Sequence, residues 1–562
     1  MTAPRRWSRR EAVLVLLFAV LTAVAMTHPL AWELGSGGRV DAGDGRFAIW
    51  NVNWVARTLV ADPTALLDAN IFYPHRNTLA FSELNLVAGA LAVPVYWLTR
   101  NPYATHNAVA LLTFILSVVG GYALVRYLTG HRAAAAVASV LFAYCPFVFA
   151  RTAHMQLLMI AGLPFGMLAC HRLVDRPGPG RGAALGLVLA IVALACGYYA
   201  LFTGLMVGVA LAFYAVTRGL WRSPRYWASI AVAVTLGGLV AGLAVLPYLE
   251  LGGVGRTLDD AREYSADWRA YLASPARAHG WILALIETWN EVLFPGFLTL
   301  GLAAAGAVVA WRTRLLPDAG PVADAAPPGR IQETAGLYAL IGGLAFWASF
   351  GPDGGLYTVL FNVVPGFSMI RAPARFGITV ALSLTVLGGV GVTRLARGRW
   401  TALIATALVL LALAELKSVR YPHVEAQRYP AAHRMLAQLP AGPVAEFPFF
   451  NRRMEFVRHT YYMVGSIAHW RPLINGYGDL IPQDFRDDVD TLAGFPSKAS
   501  LDILERHATR YVVLHRALYD AGEWASLVER LPAFRHRLRM VFWDDDAWLL
   551  EMTGAEGARP AP

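Results

Sequence analysis

The sequence is short of cysteine, of lysine and of charge in general. Its three cysteines are Cys145, Cys170 and Cys196. Their number is odd, each lies in an apolar run, and no CxxC pair occurs. A disulfide framework and a cysteine-based metal site are therefore excluded, and the three read as small core residues. Lysine stands only at Lys417 and Lys498, so arginine carries nearly all the positive charge. Only 15% of the 562 residues are charged, against 56% hydrophobic, with a mean hydropathy of +0.46. Soluble domains carry about a quarter charged residues, so an ordinary soluble enzyme does not fit. No GxSxG, Walker A or dinucleotide fingerprint stands in a strand–turn–helix setting, and no solenoid-type repeat is visible.

What is present is a series of apolar runs of roughly 17–25 residues between Glu11 and Leu416, the length a bilayer core demands. The formal net charge of +10 could suggest nucleic acid. The arginines instead sit in short loops between the runs, as the positive-inside bias requires, and no nucleic-acid partner is expected. Arg5, Arg6, Arg9 and Arg10 precede the first run, 12–32, and no small-residue cleavage site follows it, so it reads as a span with a cytoplasmic N-terminus. Basic loops at 126–132, 172–181, 218–225, 312–330 and 394–399 should also be cytoplasmic. The spans between them fall at 104–125, 133–150, 157–174, 183–197, 199–217, 226–249, 291–311, 335–350, 377–393 and 401–416. Pro317–Gly329, rich in Pro, Ala and Gly, reads as a cytoplasmic linker. The segment Leu84–Thr99 is apolar but short and interrupted by Pro94; it is expected to lie beside the outer surface without crossing.

The predicted architecture is an α-helical polytopic protein of about eleven spans in the inner (cytoplasmic) membrane. Residues 1–416 form the transmembrane domain, including a first outer loop 33–103, and 417–562 form a soluble α/β domain outside the cytoplasm. Strand-like segments at Val444–Pro448, Thr509–Leu514 and Trp548–Glu551 support the latter.

Four outer pieces collect the polar residues. The first holds Asp41 and Asp44, the second flanked by Gly43 and Gly45 in a tight turn. A carboxylate there could deprotonate a hydroxyl or hold a divalent cation, or cap a helix. The second is Arg151–Gln156, with His154 and Gln156 at a membrane surface. The third is Arg262–Trp268, where Glu263, Tyr264 and Asp267 mix charge with aromatics, as a sugar platform or an interfacial helix would. The fourth is Arg371–Phe376, whose Arg371 and Arg375 run against the charge bias; a guanidinium fork suits phosphate or a lipid headgroup. In the C-terminal domain, His459 and His469 are ten residues apart with no cysteine nearby, which argues against zinc.

The sequence resembles bacterial membrane glycosyltransferases of the GT-C superfamily, in particular a large group of multi-spanning proteins. The residues that carry this are Gly43-Asp44, Phe72-Tyr73-Pro74-His75 with Asn77-Thr78-Leu79, Ser82-Glu83, Asn107, Leu128-Thr129-Gly130 and His154-Met155-Gln156. They continue through Tyr264–Asp267, Phe294-Pro295-Gly296, Arg371–Phe376, His469-Trp470 and Asn475-Gly476-Tyr477, so the pattern covers nearly the whole chain. The resemblance implies a catalytic acid in the first outer loop, a supporting polar residue in a second outer loop, and a polyprenyl-phosphate sugar as donor. Asp44 matches the first position and His154 the second, where many relatives carry an acidic residue. Catalysis is thus expected from Asp44 and His154. Substrate contacts are expected from Asp41, Glu83, Gln156, Glu263, Tyr264, Asp267, Arg371, Arg375, His469, Asn475 and Tyr477. Trp50, Trp54, Tyr264 and Trp268 could stack on sugar faces. Asp44 and His154 are expected to face one outer cavity, with the arginines on its rim. The acceptor would be a glycan, lipid or protein of the envelope. No cofactor is assigned with certainty, and a divalent cation is compatible. A non-catalytic scaffold and a transporter of lipid-linked glycans are the rival readings; polar residues gathered at one surface disfavour transport.

Overall fold

The structure is a computed structural model that describes residues 7–252, 255–315, 328–419 and 423–553. Arg5, Arg6 and all but the end of the predicted linker Pro317–Gly329 lie outside the described residues. The chain divides into two compact units. The first comprises Met1–Trp32 and Ala110–Tyr421, and the second Glu33–Val109 and Pro422–Pro562.

The first unit is built from apolar helices. Among the described residues of the whole chain, seven helical stretches are long and apolar enough to cross a membrane: Arg9–Thr27, Pro102–Thr129, Arg132–Phe149, Gly197–Thr217, Pro224–Glu250, Pro373–Leu395 and Gly398–Leu416. The other four predicted spans are helices too, but shorter or more polar: Gly162–Asp175, Pro179–Ala195, Phe297–Leu315 and Pro328–Ser349. Phe297–Leu315 packs on Gly377–Leu395 through Gly306 and Gly391; a methyl group on Gly306 would overlap the Leu387 carbonyl oxygen. Small residues at such crossings let backbones approach where lipid supplies no hydrophobic drive. Several arginines of the basic loops have acidic partners. Glu11 accepts from Arg126 (2.9 Å), Arg132 (3.1 Å) and Tyr122 (3.0 Å). Asp175 accepts from Arg218 (2.8 Å), Arg330 (3.0 Å) and Tyr127 (2.6 Å). A charge at a helix end in an apolar setting needs such a partner.

The second unit combines helices with two sheets. Helix Asp44–Ala61 packs on Leu86–Thr99, where Gly89 meets Val55 and the Trp97 Nε1–H donates to the Ala56 carbonyl (3.3 Å). The 14 residues of Leu86–Thr99 make a helix of about 21 Å, short of a hydrocarbon core of about 30 Å. Strand β1 (Gly37–Gly38) pairs antiparallel with β2 (Val424–Glu425). A four-stranded sheet has the order β3-β4-β6-β5, from β3 (Val444–Phe447), β4 (Tyr511–His515), β5 (Leu538–Trp543) and β6 (Ala547–Met552). β3 and β4 run parallel, with Val444 opposite Tyr511, and the other pairs are antiparallel. Its core gathers Leu436, Val444, Tyr462, Leu473, Val513 and Leu549.

The loop after the first span contributes directly to this unit. The Phe72 N–H donates to the Asn475 carbonyl (3.2 Å), the Tyr73 N–H to Leu473 (2.8 Å), and the Leu473 N–H to Asn70 (3.0 Å). Residues expected to accompany the spans are thus joined by main-chain bonds to the C-terminal chain.

Candidate functional site

In the second unit, Asp44 opens the helix Asp44–Ala61. An acidic residue in the first turn complements the helix dipole. The neighbouring carboxylate, Asp41, does the capping: its Oδ1 accepts from the N–H groups of Gly43 (2.8 Å) and Gly45 (3.1 Å). Gly43, the residue before the helix, makes no side-chain cap. Asp41 thus fills a capping role at this helix start. Asp44 is half-buried, and its Oδ1 accepts the Tyr477 hydroxyl hydrogen at 3.1 Å. The Tyr477 ring sits edge-on to Phe47, with centroids 6.1 Å apart. A carboxylate oriented by a phenol at a helix start can accept a proton from a hydroxyl.

Two expected stacking rings are not available. Trp50 is fully buried with its Nε1–H donating to Asn70 Oδ1 (3.0 Å). Trp54 is also buried, donates to the Leu66 carbonyl (2.9 Å) and lies against Trp470. Asn475 is fully buried; its Oδ1 accepts from the Glu446 N–H (2.7 Å) and its Nδ2 donates to the Glu446 carbonyl (2.8 Å). It serves the β3 backbone as a neighbouring strand would. The His469 Nδ1 accepts from the Arg471 N–H (3.0 Å), and burial pushes this imidazole down to about 3. Glu83 is half-buried, and its carbonyl accepts from Asn51 Nδ2 (3.0 Å).

In the first unit, His154 precedes the short helical turn Met155–Leu158, and both His154 and Gln156 are half-buried. Arg151 is buried, ion-paired to Glu291, and lies over the Phe147 ring. Burial holds its guanidinium below the ordinary value; Glu291 opposes this, and the positive charge of Arg375 adds to it. Arg375 lies over the Tyr198 ring (4.1 Å) and Arg371 over Tyr264 (5.0 Å). The backbone ties these together: Arg371 N–H donates to the Tyr198 hydroxyl (3.0 Å) and Ala374 N–H to the Tyr264 carbonyl (3.2 Å). Stacking on rings holds guanidinium planes in a fixed attitude, and planar forks suit phosphate. Glu263 is exposed at the end of helix Leu258–Glu263, and Asp267 Oδ1 accepts from the Ala270 N–H (2.8 Å). Trp268 is exposed.

Two groupings of expected residues result: Asp41, Asp44 and Tyr477 in the second unit, and Tyr264, Arg371 and Arg375 in the first. Asp44 and His154 belong to different units. Tyr198 joins the arginine group, and Glu291 pairs with Arg151, without either having been singled out by the sequence. The glycine and tyrosine pair that opens helix Gly197–Thr217, just after the break at Cys196, was the available signal for Tyr198.

A family model described as a 6-pyruvoyl-tetrahydropterin synthase related domain, a membrane protein, matches residues 90–421. The chain belongs to this family. The matched segment holds His154, Gln156, Arg371 and Arg375, and lies entirely before the four-stranded sheet. No curated protein matches the sequence. Among solved structures, the arabinofuranosyltransferase AftD from mycobacteria matches 98% of this chain at 16% identity, with a TM-score of 0.58. The chain spans only 40% of that protein's length. ArnT from Cupriavidus metallidurans, bound to undecaprenyl phosphate, matches 98% of this chain and 100% of its own at 14% identity, with a TM-score of 0.48. The oligosaccharyltransferase AglB from Archaeoglobus fulgidus, in complex with an inhibitory peptide and a dolichol-phosphate, matches 95% of this chain and 73% of its own at 13% identity, with a TM-score of 0.44. The AftD likeness gives this member of the 6-pyruvoyl-tetrahydropterin synthase related family its fold: it is a membrane protein with a GT-C-like architecture.

Proposed function

We propose that the protein is a membrane glycosyltransferase that moves a sugar from a polyprenyl-phosphate donor to an acceptor hydroxyl of an envelope glycan, lipid or protein. A fold alone does not set an activity; the observation that carries the reading is the Asp44 carboxylate at a helix start, accepting the Tyr477 hydroxyl hydrogen while Asp41 accepts from the Gly43 and Gly45 N–H groups. Asp44 takes the proton of the acceptor hydroxyl. The acceptor oxygen attacks the anomeric carbon from the face opposite the phosphate, the bond from that carbon to the phosphate oxygen breaks, and the configuration inverts. The departing polyprenyl phosphate keeps the electron pair and needs positive charge, for which Arg371 and Arg375 are the candidates, with His154 and Gln156 orienting the donor. The reaction takes place on the outer face of the inner membrane, and a divalent cation is compatible with it.

The test is transfer from a synthetic polyprenyl-phosphate sugar by the purified protein. Asp44→Asn keeps shape and removes the base, so the rate should fall roughly 10²–10⁴-fold with protein level unchanged. Arg371→Lys keeps charge and loses the fork, so donor use should suffer more than folding. Full activity in Asp44→Asn would falsify the catalytic assignment and favour the scaffold reading.

A further inference from the structure

The C-terminal chain buries a group of titratable side chains that the proposed reaction does not use. Glu446 lies in the middle of β3, fully buried, with His433 from helix Ala431–Gln438 equally buried beside it. The Glu446 Oε2 accepts from His433 Nε2 (3.1 Å) and from His515 Nε2 at the end of β4 (2.5 Å). His469 closes the group from the loop after helix Thr460–Ser466, its ring centroid 5.4 Å from that of His433. Among the described residues, His433, Glu446 and His469 form the one set of three ligating side chains whose donor atoms all lie within 4.8 Å of one another.

Hydrogen bonding alone leaves this group incomplete. Glu446 Oε1, His433 Nδ1 and His469 Nε2 are buried, and none has a hydrogen-bond partner among the described residues. A buried polar atom without a partner is costly, so several in one cluster call for a missing ligand. We propose that His433, Glu446 and His469 hold a divalent transition-metal ion, of which zinc is the type best matched by two imidazoles and one carboxylate.

The fit is close. Tetrahedral zinc with bonds of about 2.1 Å places its ligand atoms roughly 3.4 Å apart. His433 Nε2 and Glu446 Oε2 already stand at 3.1 Å, and one ligand atom from each of the three residues lies within 4.8 Å of the others; an ion seated there takes the place of the His433–Glu446 hydrogen bond and leaves the His433 proton on Nδ1. His515, donating to the carboxylate from the other side, is the kind of outer partner that orients a ligating carboxylate. Metal at the His469 Nε2 requires the ring proton on Nδ1, so occupancy exchanges the Arg471 N–H bond for the metal bond. The ligands come from a helix, a strand and a loop, and the ion would join these three elements. The burial of Glu446 and His433 assigns it a structural role.

The experiment uses the full chain, purified in detergent without chelator. Metal content is measured by elemental mass spectrometry, and cobalt chloride is added to the metal-stripped protein to read tetrahedral d–d absorption. Wild type should carry one equivalent of metal, give the cobalt spectrum, and unfold at a higher temperature when zinc chloride is restored. Glu446→Gln and His469→Gln should each lose the ion, whereas His75→Ala, at a partly exposed His–Asp pair in the same unit, should keep it. His469→Gln and the cobalt titration of wild type keep the test open if Glu446→Gln does not fold. Absence of bound metal, cobalt spectrum and zinc-dependent stabilisation in wild type overturns the proposal. So does metal that persists in His469→Gln or is lost in His75→Ala.

Discussion

At the residue scale, two aspartates three positions apart divide the work at one helix start. Asp41 caps, and Asp44 meets Tyr477. If the Tyr477 hydroxyl orients the base, Tyr477→Phe should lower the transfer rate by roughly fivefold, the scale of about 1 kcal/mol for one hydrogen bond, with little change in unfolding temperature. A variant as active as wild type would show that Asp44 is oriented without it. Asn475 makes the contrasting case. Expected at a substrate, it is committed to both polar groups of the Glu446 backbone. Asn475→Ala should therefore lower stability by about 2–5 kcal/mol, through two orphaned buried groups. Thermal unfolding of the purified protein measures this; a loss below about 0.5 kcal/mol, the range of an ordinary surface change, would exclude a structural role. Spacing in the sequence marks both residues as polar near glycine and tyrosine. Which one serves the backbone depends on the strand it meets.

At the element scale, Leu86–Thr99 and the sheet illustrate what local pattern can carry. The short apolar stretch with Pro94 is a helix of 14 residues packed on Asp44–Ala61. If it stays on the outer surface, cysteines placed at Arg100 and Asn101 in intact cells should react with an impermeant label. Protection there together with labelling at Gly130 would mean that it crosses. The three strand-like segments of the C-terminal domain lie within or beside β3, β4 and β6. β5 escaped notice because it is a partly exposed edge strand: Leu538 and Trp543 bracket Arg539 and Met540, and a register shift between Met540 and Phe542 breaks the alternation. Helices were the more legible elements, since an apolar run of membrane length carries its own signal. The spans that came out shorter or more polar, such as Gly162–Asp175 and Pro328–Ser349, carry polar or basic residues that partner others: His171 with Tyr338 (3.1 Å), and Glu333 with Arg218 (2.9 Å).

At the scale of the whole molecule, the proposed reaction needs the C-terminal domain on the side where lipid-linked sugars are consumed. The charge bias of the loops predicts that side to be outside the cytoplasm. Fusions after Leu416 and after Glu551 to a reporter active only outside the cytoplasm should be active at both positions. A cytoplasm-specific reporter active at both would reverse the topology. The loop after the first span belongs to the same compact unit as the C-terminal chain. Expression of residues 417–562 alone would therefore leave β2 without β1, and the strand-like contacts of Leu473 without Asn70 and Tyr73.

The sequence by itself determined that this is a multi-helical membrane protein with a mixed α/β region at its C-terminal end, and it pointed to a GT-C-like architecture. Those features are local: a bilayer requires backbone bonds satisfied within each helix and an apolar run of matching length. That residues 33–109 build one unit with the C-terminal chain, that Asp41 caps the Asp44–Ala61 helix, and that His433 and Glu446 meet His469 are set by the folded chain. These depend on contacts such as Asn70 Nδ2 to Ser466 Oγ, 396 residues apart. A pairing across that distance leaves no periodicity in either segment, because its partners are selected by the folded backbone that brings them within hydrogen-bonding range.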